Sequence, residues 1–384
     1  MGTAKCVVGL RHRTCYIFQI KYPVHHVEFK INKYMGLDVK LVIVADDLTG
    51  ALDSSVAFAD RGLKVLCALS VSELPAAMSE GADVVAVSTG SREISQEDAV
   101  SRVKQVLSMI RSHEGAQSLR IFKKVDSRLK GHVAAEIKAL GFASDQTLIC
   151  PAIPRLGRFV ENGLLVGAGV DTPIAVTDIA DLPETCGLDA ATQQDIEAAI
   201  SGFADDGLFV GAAGLAEALA SKIAPDPRTD AMPAPEAPAL FAIGSRDPVT
   251  LAQLGTFNIV GAPNGVVPEP AALQKDVKVI QMTPGETVIS GQEAGDLFAD
   301  GISKWIAHAK PRTFLGCGGE SAAAICARLN IGILQVLGEV LPGLPMSKSI
   351  GSGDHLYIIT KSGGFGSKDT LVNLASKLVK DRMN

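Results

Sequence analysis

From residue 41 onward the chain repeats one pattern. A short apolar run ends in a polar or glycine-rich turn, and an amphipathic stretch of helical period follows. The apolar runs fall at 41–45, 84–88, 120–124, 148–151 and 208–211, and a second series at 239–243, 277–281, 313–315 and 356–360. Runs this short fit strands, and their alternation with helices predicts βα units and a parallel sheet. Between the two series lies 224–238, with five prolines in fifteen residues. Such a stretch can be neither a helix nor a central strand, because proline lacks the N–H that either ladder needs. It reads as a linker. The expected class is therefore α/β, with two domains at 38–223 and 239–384, each a mainly parallel sheet flanked by helices. The active site is expected in the cleft between them.

Residues 1–37 break the pattern. The first 34 hold Tyr16, Tyr22, Tyr34, His12, His25 and His26, and six Lys and Arg against the single acid Glu28. Their apolar runs are too short for a secretory core. The expectation is a basic extension outside the native fold, or a natural start near Met35.

Composition narrows the function. The net charge of −6 argues against a duplex nucleic-acid binder, which is usually basic on at least one face. No apolar stretch approaches the roughly 18 residues of a membrane span. Seven cysteines with no CxxC pair fit reduced thiols in a cytoplasm better than a disulfide framework. No zinc-type spacing of Cys and His occurs. A small anionic substrate stays open, because a local group of cations overrides a modest net charge.

Ligands of doubly wound sheets bind beyond the carboxyl ends of the strands, so the residues after each run carry the chemistry. In the first series, 41–45 is followed by Asp46-Asp47-Leu48-Thr49-Gly50-Ala51-Leu52-Asp53, two adjacent acids and the start of a helix that Thr49 can cap. Ser91 and Arg92 follow the second run, and the guanidinium fork of Arg92 matches a carboxylate. Lys123 and Lys124 close the third run ahead of Asp126, Ser127, Arg128 and Lys130. Alternation turns one of the two lysines inward, where a lone ammonium is costly and needs an anionic partner such as a substrate. After the fourth run come Arg155 and Arg158. Cations for an acid group, beside carboxylates for hydroxyls, suit a small hydroxylated anion.

The second series ends in glycine-rich turns. These are Gly244-Ser245-Arg246-Asp247-Pro248, Gly316-Cys317-Gly318-Gly319-Glu320-Ser321 and Lys361-Ser362-Gly363-Gly364-Phe365-Gly366. Glycines let backbone N–H groups approach phosphate oxygens, and three such turns at one sheet edge point to a nucleotide. GxxxxGK[ST] is absent, and GxGxxG fails at Ser321. Gly351-Ser352-Gly353-Asp354 precedes a strand instead of opening a helix and reads as a loop.

Taken in order, 45–51 with Asp53, Ser91-Arg92, 123–127, 151–154 with Gly157-Arg158, Gly244-Ser245-Arg246, Gly318-Gly319-Glu320 and 361–366 resemble the segments of the four-carbon acid sugar kinases. The likeness runs from about residue 41 to the end, although 169–188 looks shortened and the leader has no counterpart. It implies an ATP-dependent kinase that phosphorylates a hydroxyl, the terminal one, of threonate, erythronate, 3-oxo-tetronate or a close relative. The first domain would bind the sugar acid through Asp46, Asp47, Ser91, Arg92, Lys123, Lys124, Asp126, Ser127 and Arg158. The second would bind ATP through Ser245, Gly316, Cys317, Gly318, Gly319, Glu320, Gly363, Gly364 and Gly366. Mg²⁺ would bridge the phosphates, with Glu320 as an outer-sphere partner. Asp46 or Asp126 would take the hydroxyl proton. An NAD(P)-dependent oxidoreductase and a non-enzymatic small-acid-binding protein are the competing readings. A homodimer is the default assembly.

Overall fold

The structure is a computed structural model; it describes residues 9–11, 14–16, 39–113, 119–273, 277–350 and 356–380. Residues 1–36 form a unit of their own, in which β1 (Gly9–Arg11) and β2 (Thr14–Tyr16) pair antiparallel. The rest of the leader, Met35 and the 351–354 loop lie outside the described residues.

The remaining strands arise where the apolar runs predict them. β3 (Leu41–Ala45) is buried along its whole length, as a parallel strand covered on both faces must be. Asp47 then stops the strand and caps α1 (Leu48–Ala59): its backbone is extended and its Oδ1 accepts the Gly50 N–H at 2.8 Å. The cap is therefore Asp47 and not Thr49, whose hydroxyl instead donates to Asp47 Oδ2 at 2.6 Å. Next come β4 (Val65–Ala68), α2 (Leu74–Ser79) and β5 (Val84–Ser88). α3 (Gln96–Ser112) starts at Ser95, which accepts the Asp98 N–H, and buries Ala99, Val103, Val106 and Ile110 at helical spacing. β6 (Arg120–Lys124), α4 (Val133–Leu140) and β7 (Thr147–Cys150) follow. A small antiparallel sheet of β8 (Arg158–Glu161), β9 (Leu164–Gly167) and β10 (Ile174–Ala175) follows, and only β10 lies within the stretch that looked shortened. Then come α5 (Val176–Ala180), α6 (Gln193–Gly202), β11 (Leu208–Gly211) and α7 (Ala213–Ile223).

Residues 224–238 form neither helix nor strand. Arg61 holds their start by donating to the Ala224 and Pro225 carbonyls, and Arg228 donates to the Leu337 carbonyl at 2.9 Å. The second series then gives β12 (Ala239–Ile243), α8 (Pro248–Ala252), β13 (Ile259–Pro263), β14 (Val277–Thr283), α9 (Gly291–Ala309) and β15 (Thr313–Cys317). It closes with α10 (Gly319–Arg328), β16 (Ile333–Leu341), β17 (Leu344–Ser349), β18 (Tyr357–Lys361) and α11 (Thr370–Lys380).

The two series do not form separate sheets. Thirteen of the described strands make one sheet, ordered β13-β14-β12-β15-β18-β17-β16-β4-β5-β3-β6-β11-β7. Within each series the pairing is parallel; β17 and β16 join them through antiparallel pairs with β18 and β4. The antiparallel steps reverse the strand direction between the halves. Six strand steps separate β15 from β3, and a twist of about 20–25° per step rotates the reversed strands most of the way round again. The carboxyl ends of both halves can therefore face one cleft.

Candidate active site between two strand edges

In the first half, β3, β5 and β6 are neighbours, so their carboxyl ends bring Asp46, Asp47, Arg92 and Asp126 together. Arg92 grips Asp46 in two places, Nε to Oδ2 at 2.8 Å and Nη2 to Oδ1 at 2.9 Å. Its Nη1 reaches Asp47 Oδ2 at 3.1 Å and lies 4.0 Å from Asp126 Oδ2. Burial pushes the Asp46 carboxyl up, but the Arg92 hydrogen bonds and the charges of Lys123, Arg92 and Lys124 outweigh it, and its pKa lies below the ordinary carboxylate value. Gly131, at φ +88°, lets the chain pass: a Cβ there would stand 3.1 Å from Asp46 Oδ2. Asp126 Oδ1 accepts the Arg128 N–H, which fixes its turn, and Ser127 accepts from Arg158 Nη1 at 2.6 Å.

The two lysines go separate ways. Adjacent strand residues face opposite sides of a sheet, and here both are buried. Lys123 is not waiting for a substrate: its ammonium lies 2.5 Å from Glu136 of α4, which also accepts from the Ser91 hydroxyl. Ser91 and Lys123 thus sit behind the site, and the Ser91 N–H donates to the Asp46 carbonyl. Lys124 faces the cleft. Its ammonium donates to the Val125 carbonyl at 2.8 Å and forms no ion pair with a carboxylate among the described residues.

In the second half, β12, β15 and β18 are neighbours, and their three glycine-rich turns lie side by side. Gly316 and Cys317 end β15 inside the strand, where Gly316 admits Ala322 of α10, 2.8 Å from its would-be Cβ. Gly318, at φ +103°, turns the chain, and Gly319 opens α10. A Cβ on Gly363 would fall 2.3 Å from Ser245 Oγ, so the first and third turns touch. Gly364 lies against Asp247, and Gly366 against Thr370 at the start of α11.

The two edges meet. A Cβ on Gly319 would lie 3.2 Å from Thr49 Oγ1 and 3.3 Å from Asp47 Oδ2. A narrow cleft is lined by Asp47, Arg92, Lys124 and Asp126 from one half and by Ser362 and Phe365 from the other. A wider one shares Asp47 and Arg92 and adds Gly244, Arg246 and Glu320. Among the described residues no three His, Cys, Asp or Glu side chains are grouped to hold a metal on their own.

Sequence profiles identify the halves. The profile of a sugar-binding N-terminal domain matches residues 41–187, and that of a nucleotide-binding C-terminal domain matches 266–371. D-threonate kinase of Cupriavidus necator is 27% identical, over 89% of this chain and 98% of its own. 3-oxo-tetronate kinase of Methylobacterium radiotolerans is 26% identical over 87% and 98%, and D-erythronate kinase of Heliobacterium modesticaldum 25% over 86% and 94%. Across both halves, in this order, the chain is similar to the four-carbon acid sugar kinases. The fold of this sugar kinase relative also matches a Haemophilus influenzae crystal structure at 18% identity, with a TM-score of 0.65 over 88% of this chain and all of that one.

Two residues escape a reading by strand ends. Glu136 lies on the buried face of α4 with Val133, Ile137 and Leu140; a carboxylate among apolar residues at helical spacing was the signal. Asp53, one turn into α1, lines the smaller cleft and makes no hydrogen bond or ion pair among the described residues. Burial raises its pKa above the ordinary value, only partly offset by Lys124 and Arg155. It lies six residues beyond Asp47, and the strand-end reading quoted it without giving it a role.

Proposed function

We propose that the protein is an ATP-dependent kinase that phosphorylates a hydroxyl, the terminal one, of a four-carbon sugar acid such as threonate, erythronate or 3-oxo-tetronate. The observation that carries this is the meeting of two unlike edges at Gly319, Asp47 and Thr49. One edge offers paired charges, the other glycine turns and a helix N-terminus. The first half, 38–223, would hold the acid, and the second, 239–384, the nucleotide; 224–238 joins them.

Phosphoryl transfer needs positioning and charge neutralisation more than covalent help. Lys124 supplies a buried positive charge that forms no ion pair with a carboxylate among the described residues, suited to the substrate carboxylate, and Arg158 holds Ser127 beside it. Arg92 is engaged by Asp46 and Asp47, so it shares the substrate with those acids as one preorganised group. Of Asp46 and Asp126, Asp126 is the better proton acceptor: Asp46 has both oxygens on Arg92, whereas Asp126 Oδ2 is 4.0 Å from the nearest cation. ATP phosphates would lie at Ser245, the 316–320 turn and Gly363, Gly364 and Gly366. Mg²⁺ would enter with ATP as part of the substrate, with Asp47 and Glu320, both on the wider cleft, as its protein neighbours. Lys123 and Ser91, paired with Glu136, act from behind by holding the strand ends. The setting is cytoplasmic; among the described residues no helix is long and apolar enough to cross a membrane.

The test is ADP release from Mg-ATP with D- and L-threonate, both erythronates and 3-oxo-tetronates. Release dependent on one acid supports the reading. Reduction of NAD⁺ or NADP⁺ by an acid, with no ADP released, would replace it with the oxidoreductase. Acid binding without either reaction would leave a binding protein.

A further inference from the structure

Lys361 ends β18, and its side chain is completely buried. No carboxylate lies within ion-pair distance of it among the described residues. A lone buried ammonium is costly, so something must hold it. It has three oxygens: Thr250 Oγ1 at 2.8 Å, the Ser362 carbonyl at 3.1 Å and the Gly363 carbonyl at 3.3 Å. Thr250 in turn donates to the Gly363 carbonyl at 2.6 Å. The lysine's own carbonyl accepts the Gly318 N–H at 2.9 Å. One residue thus ties together α8, the 316–319 turn and the 361–366 turn.

The geometry of the peptide bond gives this a consequence. In a trans peptide the C=O and the following N–H point in opposite directions. The Ser362 and Gly363 carbonyls are turned toward the Lys361 ammonium, so the Gly363 and Gly364 N–H groups are turned away from it. Neither N–H donates to a protein acceptor among the described residues, whereas the Phe365 N–H closes the turn on the Ser362 carbonyl. Two successive unspent N–H groups, with a fixed positive charge behind them, make a concavity for an anion. Burial draws the Lys361 pKa below the ordinary lysine value, while Cys317 and Asp247 pull it up.

We propose that Lys361 is a positioning residue for the nucleotide phosphates: by fastening the 362 and 363 carbonyls behind the turn, it aims the Gly363 and Gly364 N–H groups at a phosphate. It supplies to this site the fixed charge that a Walker lysine supplies by direct contact elsewhere. The proposal rests on the kinase reading above, and the test separates the two.

Titration calorimetry with ADP and with adenosine is run on the wild-type chain, Lys361→Met and Thr250→Val. Lys361→Met is expected to weaken ADP by tenfold or more and adenosine by less than twofold, with the KM for the sugar acid unchanged. Thr250→Val keeps the charge and both carbonyl contacts but loses one anchor; about a threefold loss for ADP alone is expected. It serves as the deciding variant if Lys361→Met does not fold. ADP affinity within twofold of wild type in Lys361→Met, or in Thr250→Val where that variant decides, would overturn the proposal. So would an equal loss for ADP and adenosine. A wild-type chain that binds no ADP would instead overturn the nucleotide assignment beneath it.

Discussion

The two sides of the cleft solve the same problem with different materials. On the sugar-acid side the polar groups are side chains, and they neutralise one another: Arg92 with Asp46 and Asp47, Lys123 with Glu136. On the nucleotide side they are largely backbone groups, freed by glycine and held by a single buried cation, Lys361. Side-chain pairs can discriminate among small hydroxylated acids, since a missing or misplaced hydroxyl leaves a buried polar group unpaired. Backbone N–H groups recognise any phosphate chain alike. The comparison suggests that substrate choice resides in the first half, while the second half changes little with the acid used.

The largest effect that would sharpen this contrast is at Glu136. Removing one partner of a buried ion pair leaves an uncompensated charge and costs about 3–5 kcal/mol. Glu136→Ala should lose that much in urea unfolding, because Lys123 is fully buried and has no other carboxylate within ion-pair distance among the described residues. A loss below about 1 kcal/mol, on the scale of exposed pairs, would mean the pair is not the brace described here.

A second prediction concerns Arg92. Arg92→Ala leaves Asp46 and Asp47 repelling each other at the cleft. Truncating one member of a partly buried charge pair commonly costs about 2–5 kcal/mol, so kcat/KM for the acid should fall on the order of a hundredfold or more. ADP affinity should stay within about twofold, since no Arg92 contact reaches a glycine turn. Equal losses for both ligands would erase the distinction between the sides.

The smallest effect sets two acids against each other. Asp46 has a lowered pKa when folded, so it adds stability above its unfolded value, and that stability is lost as pH falls through the folded value. Asp53 has a raised pKa when folded. Its ionisation costs stability as pH rises from the ordinary carboxylate value through the raised one. Asp53→Asn should therefore raise the melting temperature at neutral pH, by the equivalent of about 1 kcal/mol, and change little below the carboxylate range. Asp46→Asn should lower it at neutral pH. Melting curves of both variants across pH 3 to 8 check the signs; a destabilised Asp53→Asn would contradict the account.

Much of this was legible along the chain. All nine runs lie on strands of the main sheet, because a strand covered on both faces is largely apolar. What was not legible was the joint between the halves. β16 pairs with β4 across more than 250 residues of sequence, and no local pattern announces a partner that distant. β4 is four residues long, and edge strand β13 is only partly buried, so neither shows a strong run. The charged residues at the strand ends were visible, as were the glycine turns. That the charges pair with each other was not, because register and twist decide which side chains meet. Lys123 shows this: an inward turn was expected of one of the two lysines, but the partner of Lys123 comes from α4 and not from a ligand.

The division of labour is tested most directly at Gly363, whose would-be Cβ has its nearest neighbours in Ser245 and Asp247, both on the nucleotide side. Gly319 is a poorer probe, since it touches Asp47 and Thr49 across the cleft. The measurement is the pair of Michaelis constants, for ATP and for the sugar acid, in Gly363→Ala. The account predicts that the KM for ATP rises on the order of tenfold while that for the acid stays within about twofold, as expected where a glycine admits a phosphate. A KM for the acid that rises as much as that for ATP, or more, would contradict it.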